Sequence, residues 1–365
     1  MDSKPAEILP ADRVSGNQAD PDRGLRVVAI GGGTGLSTLL KGLKRFVFTP
    51  AELVRARAGT PVIRDLCAVV TVSDDGGSSG RLRKELNMLP PGDIRNCIVA
   101  LSEDEALLSR LFRHRFEKGS GLEGHSFGNL FLAALTSLTD DFSEAVRLSS
   151  EILVTRGHIH PATTSNIELE GLMEDGTRVR GETNITASKV RIRELFLVPP
   201  DVEPIPQTLD AIAQADIITI GPGSLFTSLI PNLLVRGIGH AIVKSSAIKV
   251  YICNLMTQAN ESLGLTAADH IRALNRHAQE QLFDYALINR TSISDQLKGK
   301  YALEGACQIV NDLGAIESLG VVPVLGDYLD EGDVARHNTN RVAKDLLQLA
   351  ERESRDKLAV NRRSN

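Results

Sequence analysis

The chain has 365 residues, of which 42% are hydrophobic and 24% are charged, a balance typical of a globular protein with a sizeable core. Lysine and arginine together number 41 against 46 aspartates and glutamates, which gives a formal net charge of -5. Because no excess of positive charge is available to neutralise a nucleic-acid backbone, we expect no nucleic-acid partner.

The two ends of the chain are polar. Residues 1–24 are rich in proline, aspartate and glycine, and they bury too little apolar surface to offset their ordering entropy, so we predict a flexible N-terminal tail. Residues 351–365 have the same polar, charged character and are predicted to be a charged C-terminal tail or, alternatively, a frayed helix end. No signal-peptide core and no run of about 18 apolar residues is present, so we expect a cytoplasmic protein with no membrane span.

Between the tails, residues 25–350 alternate short β-branched runs with helical patterns. The runs LRVVAIGG, DLCAVVTVSDD and ADIITIGPG each end in a turn or a polar group, as buried parallel strands do. This order predicts one large α/β domain with a doubly wound, mostly parallel sheet. Alternating residues around Asp175–Gly176 predict an antiparallel β-hairpin inserted at about 164–198.

The first predicted strand runs directly into the sequence GGGTG. In an open parallel sheet, a glycine turn from a strand into a helix offers backbone N–H groups to an anion. The dinucleotide fingerprint would need a glycine where Leu36 stands, and no Walker lysine follows. The turn predicts a phosphate or nucleotide site of unspecified type, and a purely structural turn stays open. Its candidate residues are Gly31, Gly32, Gly33, Thr34 and Gly35.

The next strand ends in TVSDDGGSSGRLR, the densest polar cluster of the sequence. Carboxylates at a strand tip can ligate Mg²⁺ or bond a ribose, and arginines can pair with phosphate oxygens. The alternative is a solvated loop. The candidate ligand-binding residues are Ser73, Asp74, Asp75, Gly76, Gly77, Ser78 and Arg81, with Asp74 and Asp75 as a candidate Mg²⁺ site.

Two further segments, LPPGDIRNC and GHSFGNLFL, precede helical patterns. We predict that Asp93 is the N-cap of the first of these helices. At the second, His125 and Asn129 either bind a ligand oxygen or cap the helix.

The second half repeats the pattern of a strand followed by a glycine turn. A second such turn predicts a second wall of one crevice, and amide and hydroxyl groups after the following strand suit bonds to a base, a sugar or an acetamido group. A polar loop with no ligand is the alternative. The candidates are Gly221, Pro222, Gly223, Ser224, Asn254, Thr257 and Gln258.

Six segments carry a family resemblance, in order from about residue 25 to 350: VAIGGGTGLSTLLKGLK, VTVSDDGGSSGRLR, PPGDIRNC, HSFGNLFL, IGPGSLFTSLIPNLLV and NLMTQ. They resemble the gluconeogenesis-factor (YvcK-like) family, within the CofD-like superfamily of 2-phospho-L-lactate transferase. The resemblance implies a Rossmann-like fold, binding of UDP-sugars such as UDP-N-acetylglucosamine, and a role in cell shape and in growth on gluconeogenic carbon sources. It also implies a phosphate contact for Arg336, which composition alone would leave as a solvated charge.

Three classes of function remain open. The close family favours a nucleotide-sugar-binding regulator without turnover. The superfamily favours a Mg²⁺-dependent transferase in which Asp74 or Asp75 would hold the metal, although the sequence offers no evident general base. A NAD-dependent enzyme comes third. A homo-oligomer and an unidentified protein partner are also compatible with the sequence.

Overall fold

The fold is known from a computed structural model that describes residues 24–49, 52, 62–103 and 107–363. The predicted N-terminal tail lies outside the described residues, apart from Gly24.

A parallel sheet of seven strands forms the centre of the described chain, in the order β10-β9-β8-β7-β1-β2-β3. Most of its strands are apolar on both faces, as expected for strands covered by helices on both sides. The strands are β1 (Leu25–Gly31), β2 (Ile63–Val70), β3 (His158–Pro161), β7 (Ile217–Ile220), β8 (Ile248–Ile252), β9 (Tyr285–Asn289) and β10 (Val322–Gly326).

The strand order reverses between β1 and β7. From β1 the chain proceeds outward through β2 to β3, and it returns at β7 on the other side of β1 before continuing to β8, β9 and β10. In doubly wound sheets, the crevice that binds ligands lies at the carboxyl ends of the strands beside such a reversal. The topology therefore predicts that a ligand crevice lies beside the segments that follow Gly31 and Ile220.

Helices connect these strands and cover the sheet. In the described chain they are α1 (Gly33–Leu43), α2 (Gly77–Leu86), α3 (Gly92–Leu101), α4 (Leu107–Arg113), α5 (Phe127–Thr139), α6 (Phe142–Ile152), α7 (Glu182–Ala187), α8 (Pro206–Gln214), α9 (Ile230–Leu234), α10 (Ile238–Lys244), α11 (Ala267–Ala278), α12 (Asp295–Ala302), α13 (Leu313–Ser318) and α14 (Thr339–Arg363). A π-helical turn, Leu225–Leu229, precedes α9. The predicted α/β fold with a parallel sheet is confirmed.

The inserted hairpin is also present. Strands β4 (Glu168–Met173) and β5 (Arg178–Arg180) pair antiparallel around the Asp175–Gly176 turn. A third strand, β6 (Ile192–Val198), pairs with β4 on its other side, and α7 connects β5 to β6. The insertion is thus a small antiparallel sheet with its own short helix.

The last helix extends into the segment for which we expected a tail. Helix α14 continues as far as Arg363, so residues 351–363 are helical. Its first half carries the buried stripe Val342, Leu346 and Ala350, which packs into the core, and the following residues are mostly good helix formers that prolong it. A two-stranded hairpin of β11 (Leu329–Glu331) and β12 (Ala335–His337) precedes this helix.

No single helix of the described chain is long and apolar enough to cross a membrane. The pair Leu225–Leu234 and Ile238–Lys244 passes a test of length and composition only when taken together, and it is bent by 79°. Most residues of Leu225–Leu234 are buried in the core.

Helix α1 packs very closely against the start of α14. A Cβ atom at Gly42 would lie 2.4 Å from the backbone oxygen of Thr339, so Gly42→Ala should force the two helices apart. We expect the free energy of unfolding, measured with urea, to fall by about 1–3 kcal/mol. Gly299→Ala in α12 is the matched control, because nothing lies within 4 Å of its Cβ position. It should raise stability by up to about 1 kcal/mol, and equal effects of the two changes would contradict the close packing.

Candidate functional site

A cleft of about 790 Å³ opens at the carboxyl ends of β1 and β7. The structure brings together in its lining twelve of the residues predicted from the sequence: Gly32, Gly33, Thr34, Gly35, Asp74, Pro222, Gly223, Ser224, Asn254, Thr257, Gln258 and Arg336. The other ten lie outside its lining: Gly31, Ser73, Asp75, Gly76, Gly77, Ser78, Arg81, His125, Asn129 and Gly221.

The two glycine turns form adjoining walls of the cleft and touch each other. A Cβ atom at Gly35 would lie 2.3 Å from the backbone oxygen of Pro222, so no side chain fits there. Gly33 has a φ of +62°, a left-handed conformation that favours glycine. Helix α1 begins at Gly33 with Gly32 as its N-cap, and among the described residues the only side chain that accepts from an amide of its first turn is Asp93, at Gly33. The first turn of α1 therefore presents backbone N–H groups and the positive end of its dipole to the cleft.

Several polar residues of the second wall are occupied in holding that wall together. Asn254 accepts a hydrogen bond from the Gly223 amide at 3.2 Å and donates to the Gly223 carbonyl at 2.7 Å. The hydroxyl of Thr257 accepts from the amide of Cys307 at 2.9 Å. Gln258 donates to the hydroxyl of Ser224 at 2.7 Å, while its Oε1 atom has no partner among the described residues. Asn254 and Thr257 thus shape the cleft, and Gln258 retains an acceptor.

Asp93 does not cap its own helix, so that prediction is wrong. Helix α3 begins one residue earlier, at Gly92, with Pro91 as the N-cap. The Asp93 carboxylate instead accepts a hydrogen bond from the amide of Gly33 and lines the cleft. Burial, assisted by the neighbouring charge of Asp74, raises the pKa of Asp93 to about 6, against the opposing effect of the Gly33 amide.

Glu182 was not identified from the sequence. It opens α7 in the insertion and lines the cleft, and its Oε2 atom is buried without a partner in the described chain. Burial and the nearby carboxylates, Asp74 first among them, raise its pKa to about 9. Glu182 is therefore protonated at neutral pH. No local motif marks this residue, because its position depends on how the insertion docks.

Asp74 and Asp75 have different surroundings, although they are adjacent in sequence. Asp74 lines the cleft and accepts a hydrogen bond from the amide of Gly76 at 2.9 Å. Asp75 accepts from the amide and the hydroxyl of Thr183, at 2.9 Å and 2.6 Å, and so fastens the insertion to the main sheet. Among the described residues, no group of three or more His, Cys, Asp or Glu side chains is arranged to hold a metal ion.

The wall opposite the acidic residues is formed by α12 and the β11–β12 hairpin. Tyr301 accepts a hydrogen bond from the amide of Ala335 at 3.0 Å, which fixes its ring beside the cleft. Arg336 is exposed at the cleft, and no carboxylate of the described chain forms an ion pair with it. His337 donates from Nε2 to the carbonyl of Cys253 at 3.0 Å, and burial lowers its pKa to about 4, so its ring is neutral.

His125 and Asn129 belong to a buried network outside the cleft. The Ser78 hydroxyl is 2.9 Å from Nδ1 of His125 and accepts from Nδ2 of Asn129 at 3.1 Å. Arg95 donates to Oδ1 of Asn129 at 3.0 Å, and the cap of α5 is Ser126. These bonds join the first turns of α2, α3 and α5, and neither His125 nor Asn129 is the cap of α5, so the predicted capping role is not observed.

Four other predicted residues, Gly31, Ser73, Gly76 and Gly221, lie outside the cleft lining and make contacts within the protein. Asn232 donates to the carbonyl of Gly31 at 3.1 Å, and the hydroxyl of Ser73 is 3.0 Å from that of Thr71. A Cβ atom at Gly221 would lie 2.7 Å from the backbone oxygen of Ile252. The Gly76 carbonyl accepts the amide of Gly80 within α2. The last three predicted residues, Gly77, Ser78 and Arg81, line a second cavity.

Comparison with known proteins is decisive for the family. The sequence profile of the 2-phospho-L-lactate transferase CofD family matches residues 27–329. A gluconeogenesis factor of Halalkalibacterium halodurans is 50% identical over 324 residues, which cover 88% of this chain and 95% of the relative. The Bacillus subtilis gluconeogenesis factor is 47% identical over 325 residues, 89% of this chain and 98% of the relative. This chain belongs to the gluconeogenesis-factor family.

A crystal structure of a Bacillus halodurans protein confirms the fold of this gluconeogenesis-factor family member. It superposes with a TM-score of 0.83 at 48% sequence identity, covering 89% of this chain and all of the other. The chain therefore has the Rossmann-like α/β architecture that the motif resemblance implies.

The raised pKa of Asp93 should be visible in the stability of this gluconeogenesis factor. Because Asp93 ionises less readily when folded than when unfolded, its contribution favours folding at low pH and is lost as the pH rises from about 4 to about 6. Asp93→Asn removes this titration and retains an oxygen for the Gly33 amide. We expect the free energy of unfolding of the wild type, measured with urea across that range, to fall by on the order of 2 kcal/mol relative to that of the variant.

Asp295→Asn provides a control of opposite sign. Asp295 is exposed, and its hydrogen bond with Lys298 lowers the pKa of the carboxyl. The free energy of unfolding of the wild type should therefore rise slightly relative to that of Asp295→Asn as the pH rises. Parallel pH profiles for the wild type and Asp93→Asn would show that Asp93 is not perturbed.

Proposed function

We propose that this protein is a cytoplasmic regulator that binds a UDP-sugar, UDP-N-acetylglucosamine, in the cleft, and that it serves cell shape and growth on gluconeogenic carbon sources. The proposal rests on the first turn of α1, in which the amides after Gly33 have no side-chain acceptor in the described chain, beside a second glycine turn at the point where the strand order reverses. Backbone amides at a helix N-terminus suit the oxygens of a diphosphate.

Arg336 supports a diphosphate at this position. It lies on β12 at the same cleft as Gly33 and Thr34, and it has no acidic partner in the described chain. A guanidinium can form two parallel hydrogen bonds to phosphate oxygens. The diphosphate would then lie between the amides of α1 and the side chain of Arg336.

The wall near Arg336 suits a nucleobase. It combines the fixed ring of Tyr301 with Leu255, Met256 and Val334. An aromatic ring with apolar neighbours provides a stacking surface for the flat face of a pyrimidine. The uracil would therefore occupy this wall, with its ribose toward Arg336.

The acidic wall suits the sugar. Asp74, Asp93 and Glu182 present carboxyl oxygens to the cleft, and such oxygens accept hydrogen bonds from sugar hydroxyls and from an acetamido N–H. Because burial keeps Glu182 protonated at neutral pH, it can also donate a hydrogen bond, and it adds no negative charge beside the diphosphate. The names of the two bacterial relatives support the role in gluconeogenic growth.

A specific observation favours a second candidate, a transferase. The family profile is named for 2-phospho-L-lactate transferase, and Asp93, with a pKa of about 6, is in the range of a general base at neutral pH.

Incubation with UDP-N-acetylglucosamine or a GDP-linked donor, with and without Mg²⁺, should show binding without product if the protein is a regulator. Release of nucleotide that Asp93→Asn abolishes would establish the transferase. The third candidate, a NAD-dependent enzyme, gains no support, since Leu36 is fully buried.

Replacement of Arg336 tests whether this arginine contacts a diphosphate or is only a solvated surface charge. Arg336→Ala should weaken UDP-N-acetylglucosamine binding, measured by calorimetry, by about ten- to a hundredfold, because a charge-assisted contact contributes roughly 1.5–3 kcal/mol. The melting temperature without ligand should barely change. Arg341→Ala is the matched control, since Arg341 is an exposed arginine of α14 paired with Asp345. Equal affinities of the wild type and Arg336→Ala at matched salt would remove Arg336 from the site.

A further inference from the structure

A second cavity, of about 720 Å³, lies between the first turns of α2 and the loop that precedes α5. Its lining consists of Gly77, Ser78, Arg81, Arg115, Gly119, Ser120, Gly121, Glu123 and Gly124. None of these residues lines the UDP-sugar cleft proposed above. Arg81 therefore faces a different space from the glycine turns, although the sequence motif suggests one site for both.

Two arginines at this cavity are anchored to the same loop. Arg81 donates from Nη2 to the carbonyl of Glu123 at 2.6 Å, and Arg115 donates from Nη1 to the carbonyl of Gly124. These carbonyls belong to consecutive residues, whose Cα atoms are about 3.8 Å apart. The loop backbone thus provides an acceptor for each guanidinium at neighbouring residues of one cavity lining.

Neither cation is neutralised by the protein. Among the described residues, no carboxylate forms an ion pair with Arg81 or Arg115, although many other arginines of the chain have such partners. The Nη atoms that the loop carbonyls do not use therefore remain available to an external anion, with which a guanidinium forms charge-assisted hydrogen bonds.

The positive charges of the two arginines also act on the pKa of a neighbouring histidine, His125. His125 is buried, and burial together with the charges of Arg81 and Arg115 lowers its pKa, while Glu85 opposes this. The ring is therefore neutral, and it does not add a third positive charge. Its hydrogen bond with Ser78 connects it to the cavity lining.

The backbone around the two arginines leaves room for a ligand. Nothing lies within 4 Å of the Cβ position of Gly77. At Gly124, which has a φ of +80°, a Cβ atom would lie 3.1 Å from Nη2 of Arg81, so a side chain there would crowd the guanidinium. Glycine at these positions keeps the cavity open and allows Arg81 to reach the loop.

We propose that this cavity binds the phosphate group of a small phosphorylated metabolite, at a site separate from the UDP-sugar cleft. A phosphate dianion matches two guanidinium forks in charge and in the number of acceptor oxygens. The volume exceeds what a single phosphate needs, which leaves space for an organic part. Glu123 also lines the cavity and would repel the phosphate, but its carboxylate can accept hydrogen bonds from hydroxyl groups of that organic part.

The proposal can be tested by calorimetric titration of the full-length protein with inorganic phosphate and with glucose 6-phosphate at matched ionic strength. Both ligands should bind, the sugar phosphate more tightly. Arg81→Gln and Arg115→Gln should each weaken binding by about tenfold or more, because each removes a charge-assisted contact. Glu123→Gln should strengthen the binding of inorganic phosphate, and Arg81→Lys should retain more affinity than Arg81→Gln.

Two controls separate this site from other positive charges. Arg147→Gln removes an exposed, ion-paired arginine of α6 and should leave phosphate binding unchanged. Arg336→Gln should weaken UDP-N-acetylglucosamine binding but not phosphate binding, whereas Arg81→Gln should do the reverse. Thermal unfolding without ligand verifies that each variant is folded, and the second arginine provides an independent variant.

Wild-type affinity in both Arg81→Gln and Arg115→Gln would overturn the proposal, as would the absence of binding of either ligand by the wild type at 10 mM. Loss of phosphate binding in Arg336→Gln alone would place the phosphate in the main cleft and would also overturn it. None of these results depends on whether a UDP-sugar occupies that cleft.

Discussion

The backbone contact between the two glycine turns determines the rest of the site. With no side chain at Gly35, the first turn approaches the carbonyl of Pro222 to a distance that any Cβ atom would prevent. Asn254 holds Gly223 on both its amide and its carbonyl, so the second turn cannot move away. The cleft is therefore built on two tightly packed loops at the ends of adjacent strands, and the amides of α1 have a fixed direction.

Charge in the cleft is governed by burial. Asp93 and Glu182 come from different segments of the chain, and burial together with the nearby carboxylates raises the pKa of both. A pKa of about 9 for Glu182 means that this acid is neutral under ordinary conditions. The proton on Glu182 reduces the negative charge that the cleft would present to the diphosphate proposed above.

The segment after β2 contributes residues to both the main cleft and the second cavity. Asp74 lines the main cleft, Asp75 fastens the insertion through Thr183, and Arg81 lines the second cavity one to two helical turns later. Helix α2 begins three residues after Asp74, and its first two turns line the second cavity but not the main cleft. The buried bonds of Ser78 with His125 and Asn129 keep that helix in register with α5.

The sequence by itself determined the features that depend on neighbouring residues. Alternation of β-branched runs with helical patterns predicted the parallel α/β sheet, the Asp175–Gly176 turn predicted the hairpin, and the two glycine turns predicted two walls of one crevice, which adjoin at the cleft. Glycine turns are encoded locally, because the conformation they require excludes other residues within a few positions.

Only the tertiary structure decided which side chains meet. Asp75 and Thr183 are 108 positions apart, and their contact brings Glu182 to the cleft without any local signature. Asp93 resembles a cap in sequence, yet its carboxylate reaches Gly33 on another helix. Arg81 and His125 were separated from the cleft by the path of α2. Such contacts arise from the packing of distant elements, so the residues near each position carry too little information to predict them.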